Sequence, residues 1–105
     1  MSVFMIAQIE VRSGAMAKFT AAVGEIIPIV EAAGWKLVAA YAFRTGKLGT
    51  VIDVWEMADH NQLNAGFAAI AASPRAPEIQ AALQDAVIQE TLSFADALIY
   101  PGQGA

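Results

Sequence analysis

The apolar residues of this chain change their spacing as the sequence proceeds, from every second position to every third or fourth and back, twice over. From Ser2 to Arg12 the sequence alternates. Val3, Met5, Ala7, Ile9 and Val11 make one wholly apolar face, and Phe4, Ile6, Gln8, Glu10 and Arg12 make another that turns polar along its length. A period of two reads as a β-strand. Ser13-Gly14 breaks it, and Ala15 to Ala33 then set Met16, Phe19, Ala22, Val23, Ile26, Ile27 and Val30 at helical spacing. Pro28 lies inside that helix, lacks an amide proton and crowds the carbonyl of Gly24, which predicts a kink. Gly34 is a suitable C-terminal stop.

Two strand-like runs follow, Trp35 to Thr45 and Thr50 to Met57, joined by Gly46-Lys47-Leu48-Gly49, a connection of hairpin length. In the second run Ile52 and Val54 share one face, while Val51, Asp53, Trp55 and Met57 share the other. Asp59 with Gln62 three residues on is a capping-box pattern. It opens a helix to about Ala72, and Ser73-Pro74 restarts a helical piece through about Gln89. Glu90 to Tyr100 reads as the last strand, and a tail begins at about Pro101. The order is strand, helix, strand, strand, helix, strand. Right-handed crossovers of both strand–helix–strand units give an α+β fold: a four-stranded antiparallel sheet, Val3–Arg12 and Thr50–Met57 central, helices on one face.

That layout leaves the other face uncovered, and the expectation is that it carries Phe4, Ile6, Val51 and Trp55. Composition sharpens the point. Of 105 residues 57% are hydrophobic and only 15% charged, with mean hydropathy +0.50, more apolar than a small monomer needs. Covering such a face at ~25 cal/mol per Å² is worth several kcal/mol. Two copies stacking these faces would close a barrel, with Asp53 and the aromatics pointing into its interior.

Other classes are disfavoured. A length of 105 residues implies one domain, 1–105, and the apolar content excludes intrinsic disorder. Without cysteine there is no disulfide and no thiolate metal site. Net charge is −4, and the six basic residues (Arg12, Lys18, Lys36, Arg44, Lys47, Arg75) are scattered, which argues against nucleic acid and anionic lipid surfaces. Apolar stretches are interrupted by Gly24, Pro28 and Gly34, short of the ~20 residues that span a bilayer. Residues 1–10 lack a basic region and a cleavage signature, so a soluble, cytoplasmic protein is expected.

The opening strand, the Gly14–Met16–Phe19 approach to a helix with Pro28 late in it, the Gly46–Gly49 hairpin and Val51-Ile52-Asp53-Val54-Trp55 followed by Asp59 together resemble the NIPSNAP family of the dimeric α/β-barrel, ferredoxin-like superfamily. Ser73-Pro74 matches the break between that family's later helices, and the likeness runs over about residues 3 to 100. It implies a homodimer or higher homo-oligomer. Where relatives place Arg or Tyr in the first strand, this chain has Gln8, Glu10 and Arg12; the histidine common near Asp53 is absent. Related barrels include cofactor-independent monooxygenases, muconolactone isomerase-like enzymes, haem-degrading enzymes and ring-processing proteins of polyketide pathways.

Asp53 is the first candidate for chemistry. A mid-strand carboxylate between Val51 and Trp55 is desolvated, which raises its pKa and suits general acid–base work; the bland alternative is pairing with Arg12 or Arg44. Glu10, with Gln8 on the same face, is expected near Asp53 as a second carboxylate, or else in a salt bridge with Arg12 or Lys36. His60, the single histidine, falls in the first turn of the helix after Asp59, an exposed place unless it joins a site, and one histidine cannot build a multi-histidine metal centre. Tyr41, Trp55 and Phe4, with Phe43 and Phe94, could line a pocket for a flat apolar ligand, Tyr41 and Trp55 offering polar handles. Met5 and Met16 read as core. There is no G-x-S-x-G, and neither Ser73 nor Ser93 has a nearby base. Gly46–Gly49 does not open a helix, so no phosphate loop is present, and no cofactor or metal is expected.

The expected function is therefore binding of an apolar cyclic or acyl metabolite inside a homodimeric barrel. Cofactor-independent proton transfer (isomerisation, cyclisation or elimination) would use Asp53 as base, with Gln8, Glu10, Tyr41 or Arg44 orienting a carbonyl. The alternatives are a non-catalytic dimerisation or accessory module and a cofactorless monooxygenase.

Overall fold

A computed structural model describes residues 2–103. The elements are β1 (Val3–Val11), α1 (Met16–Ala32), β2 (Lys36–Ala42), β3 (Thr50–Met57), α2 (His60–Ala72), α3 (Ala76–Ala86) and β4 (Val87–Ala95). The sheet runs β2-β3-β1-β4, every pair antiparallel, with β1 and β3 central as expected. The α+β class read from the spacing, and the ferredoxin-like fold that the resemblance implies, are the observed ones. The helix containing Pro28 runs unbroken from Met16 to Ala32. No helix among the described residues is long and apolar enough to cross a membrane.

The boundary before the last strand differs from expectation. The helix stops at Ala86 rather than near Gln89, and β4 begins at Val87 and ends at Ala95. Val87 and Ile88 are β-branched and suit a strand. The backbone of β1 draws them in: the amide of Arg12 donates to the carbonyl of fully buried Ala86 at 2.7 Å, and Val11 pairs with Val87 beyond a register shift at Glu10/Val11. The first hairpin strand is also shorter than expected, ending at Ala42. Gly49 shows why the hairpin needs glycine on its far side. Its φ is +85°, and a Cβ there would sit 2.9 Å from the carbonyl oxygen of Val11.

Directly opposed residues of an antiparallel pair share a face. Met5 opposes Trp55, Ala7 opposes Asp53 and Ile9 opposes Val51. The apolar side of β1 lies under the helices, so Val51, Asp53, Trp55 and Met57 lie there too, all buried. This corrects the expectation that Val51, Asp53 and Trp55 occupy the open side. The open side of the two central strands instead carries Phe4, Ile6 and Gln8, opposed to Glu56, Val54 and Ile52, and the apolar members are half-buried there.

The core is split. One cluster gathers Ala7, Ile9, Val11, Phe19, Val51 and Ala86, and the other gathers Met5, Val30, Trp35, Trp55 and Met57. Along β3, Val51 belongs to the first and Trp55 to the second, with Asp53 between them.

Candidate functional site

A cavity of about 240 Å³ opens between sheet and helices at the junction of the two clusters. β1 supplies its floor, where Ala7 contributes only a methyl beside Asp53. Trp35, Trp55 and Phe67 form an aromatic wall. Trp35 meets Trp55 edge-on at 5.5 Å and Phe67 at 5.2 Å, and its indole N–H donates to the carbonyl of Gln62 at 2.7 Å. Gly66 on α2 makes room for that ring: a Cβ would fall 2.2 Å from Trp35 Nε1. The start of α2 is anchored by Asp59 Oδ1, which accepts from the amide of Gln62 at 3.0 Å. In return Gln62 Oε1 accepts from the amide of Ala58 at 2.7 Å, one residue before the N-cap amide that a capping box engages.

Two carboxylates reach this apolar space. Asp53 is only 6% exposed, and among the described residues no side chain bonds to it or pairs with it. Among the described residues no buried side-chain oxygen is left both sealed and unpartnered, so the Asp53 oxygens open onto the cavity that Asp53 lines. Burial pushes its carboxyl above the ordinary value, and the negative charge of Glu90 adds to the rise. Glu90 lies on β4, where it opposes Ile9 and lines the outer part of the cavity. Loss of hydration raises its carboxyl as well, although its residue retains exposed surface. Asp53 and Glu90 stand on strands either side of β1 and are offset by two residues along it, so roughly 12 Å of sheet separates them. The charge of Glu90 bears on Asp53, and the two residues line the same cavity with Ala7 in its floor.

Sequence spacing does not mark Glu90 as a site residue, because it ends the helix near Gln89 and makes Glu90 only the first residue of the strand. The alternation Glu90, Leu92, Phe94 was the available signal. Glu10 does not approach Asp53: it opposes Thr50 on the other side of the sheet, and Lys47 Nζ donates to it at 2.5 Å. The ion-pair reading of Glu10 is thus right in kind, with Lys47 as partner in place of Arg12 or Lys36. Gln8 and Phe4 face the open side with Glu10, and Arg44 lies exposed in the hairpin loop, so none of them lines the cavity. Arg12 donates to the carbonyl of Asp85 at 3.0 Å, away from Asp53. His60 is exposed at the start of α2 and meets Phe94 edge-on at 5.7 Å, outside the cavity lining. Trp55 is in the wall, and Tyr41 borders a second cavity that shares Asp53. Among the described residues no group of three His, Cys, Asp or Glu side chains is placed to hold a metal ion.

No family model and no curated protein matches the sequence. Solved structures do match the fold. A NIPSNAP family protein from Agrobacterium tumefaciens aligns with TM-score 0.81 at 17% identity, over 98% of this chain and all of that one (100%). An uncharacterised NIPSNAP domain protein from Burkholderia xenovorans aligns with TM-score 0.76 at 14% identity, over 96% and 99% of the two chains. SnoaB, a cofactor-independent oxygenase from Streptomyces nogalater, aligns with TM-score 0.74 at 14% identity, over 97% and 98%. The chain thus has the fold of NIPSNAP family proteins and of a cofactor-independent oxygenase, in keeping with the resemblance read from its residues.

Proposed function

We propose that this chain binds an apolar, carbonyl-bearing small molecule between its sheet and its helices and moves a proton on it without a cofactor. The observation that carries this reading is a buried, unpartnered Asp53 facing an apolar cavity with a second carboxylate across it. A carboxyl whose pKa is raised by burial is a stronger base once ionised, which suits proton transfer. The carboxylate of Asp53 takes a proton from a carbon next to the carbonyl, and the C–H electron pair moves into the forming enolate. Asp53, now protonated, returns that proton to another carbon of the conjugated system, giving the isomer, while Glu90 stays ionised and its charge helps hold the proton on Asp53 until it is delivered. Exchange of the Asp53 proton with solvent at the exposed Glu90 side brings solvent hydrogen into the product.

The test uses 2-tetralone, a cyclic ketone with acidic C–H bonds, incubated with the protein in D2O and followed by proton NMR. Accelerated loss of the α-proton signal, abolished in Asp53→Asn, is the expected result. No acceleration over buffer would overturn the proton-transfer reading. A second reading, oxygenation, is favoured by the likeness to SnoaB, described as a cofactor-independent oxygenase. Oxygen uptake with anthrone in place of simple exchange would decide for it.

A homodimer remains part of the proposal. Phe4, Ile6, Ile52 and Val54 make a half-buried apolar strip on the open sheet face, and Leu98, Ile99 and Tyr100 are exposed beyond β4. Two such faces in contact would remove both strips from water. Sedimentation at micromolar concentration should give twice the chain mass, and Ile6→Asp should halve it. A parent protein that sediments as a monomer would refute the pairing and leave the cavity within each chain untouched.

A further inference from the structure

Asp53 lines a second cavity besides the first. This space, about 400 Å³, lies between α1 and β2, and Phe19, Val23 and Asp53 border both. The two spaces differ in their walls. The first has the edge-packed Trp35, Trp55 and Phe67, which offer flat surfaces to a ring. The second is bordered by Gly24, Ala40 and Ala42, small residues that leave room for a narrow aliphatic chain, and Asp53 is its one carboxylate. The first alone is below the ~300 Å³ at which ligand pockets commonly begin, and the two together lie within the usual range.

We propose that the two cavities are lobes of one binding site, whose ligand is an aryl or cyclic ketone bearing an aliphatic arm. The ring lies against the tryptophans, the arm passes Phe19 and Val23 into the lobe beside Gly24, and the polarised carbonyl region sits at Asp53. This rests on the reading of the first cavity as a ligand site, and it adds which substituents that ligand carries. The partition follows from the position of Asp53: a carboxylate between two apolar spaces acts on the middle of a molecule, where its two apolar parts meet.

The test is a homologous series of phenyl alkyl ketones, acetophenone to heptanophenone, titrated into the whole chain while intrinsic fluorescence is read. Both tryptophans of the chain, Trp35 and Trp55, line the first lobe, so saturable quenching reports its occupancy. Binding should tighten about threefold to fourfold for each added methylene as the arm fills the second lobe. Gly24→Leu blocks that lobe. A Cβ at Gly24 meets no atom within 4 Å, so the helix accepts the substitution. In this variant acetophenone should still quench saturably, and the gain with chain length should disappear. Saturable quenching independent of chain length in the parent, or an unchanged gain in Gly24→Leu, would overturn the two-lobed site alone. Absence of saturable quenching by every ketone, acetophenone included, would overturn both this inference and the first cavity as a ligand site.

Discussion

Two helical glycines should respond to alanine in opposite directions, and the difference tests the aromatic wall. In a helix interior glycine is about 1 kcal/mol worse than alanine. At Gly24 nothing lies within 4 Å of the added carbon, so Gly24→Ala should stabilise by about 0.5–1 kcal/mol. At Gly66 the added carbon meets Trp35 Cε2 and Nε1 at 2.2 Å and Cζ2 at 2.5 Å. Carbon atoms separate to about 3.5 Å, so the indole must retreat by more than about 1 Å. Trp35 is 4% exposed, with Trp55 and Phe67 against its ring and its N–H bonded to Gln62. Retreat sacrifices that hydrogen bond, worth about 1 kcal/mol net and more if the N–H is left buried and unpaired. It also weakens two aromatic contacts of about 0.5–1.5 kcal/mol each. After the helix gain is subtracted, Gly66→Ala should destabilise by about 2–3 kcal/mol, a fall in Tm of roughly 10–15 °C for a domain of this size. Urea unfolding followed by far-ultraviolet circular dichroism measures both variants without relying on the displaced tryptophan. A Gly66→Ala protein as stable as the parent would show that Trp35 does not pack on α2 as described.

Three further outcomes follow from the same geometry. Burial holds the Asp53 carboxyl above its ordinary value, so the native chain keeps a proton that the unfolded chain releases, and this group's contribution to stability falls as pH rises through that window. Asp53→Asn should therefore raise Tm at pH 8 by more than at about pH 3, below the ordinary carboxylate range; an equal shift at both would contradict a raised native pKa. Asp59→Ala removes the acceptor for the amide of Gln62 and should lower stability by about 1 kcal/mol in urea melts, whereas Asp59→Asn should retain most of it. Lys47→Ala deletes the exposed bond to Glu10, and its effect should stay within about 0.2–1 kcal/mol and shrink in high salt; a loss of several kcal/mol would mean that the hairpin depends on that pair.

The elements were legible where one residue set dominated. β1 could be read, face and all, because its buried side is apolar at every position from Val3 to Val11, and the start of α2 was announced by Asp59 and Gln62. The orientation of β3 was not legible, since Ile52 and Val54 on one face are as apolar as Val51 and Trp55 on the other. Only the pairing of Ala7 with Asp53 decides which face meets the helices, and a shift of one residue would have reversed it. Asp53 was found because a carboxylate among strand hydrophobics stands out. Glu90 was not, because its role depends on a strand boundary set by backbone bonds to β1, which local propensity does not contain.

Ala7 has a wider consequence. It is the smallest side chain in the floor between the two acidic residues, and its neighbours on either strand are Asp53 and Leu92. Enlarging it would make the chamber shallower while leaving both acids on their own strands. The volume between the two carboxylates is thus set by one methyl-bearing position, separately from the strands that carry the acids.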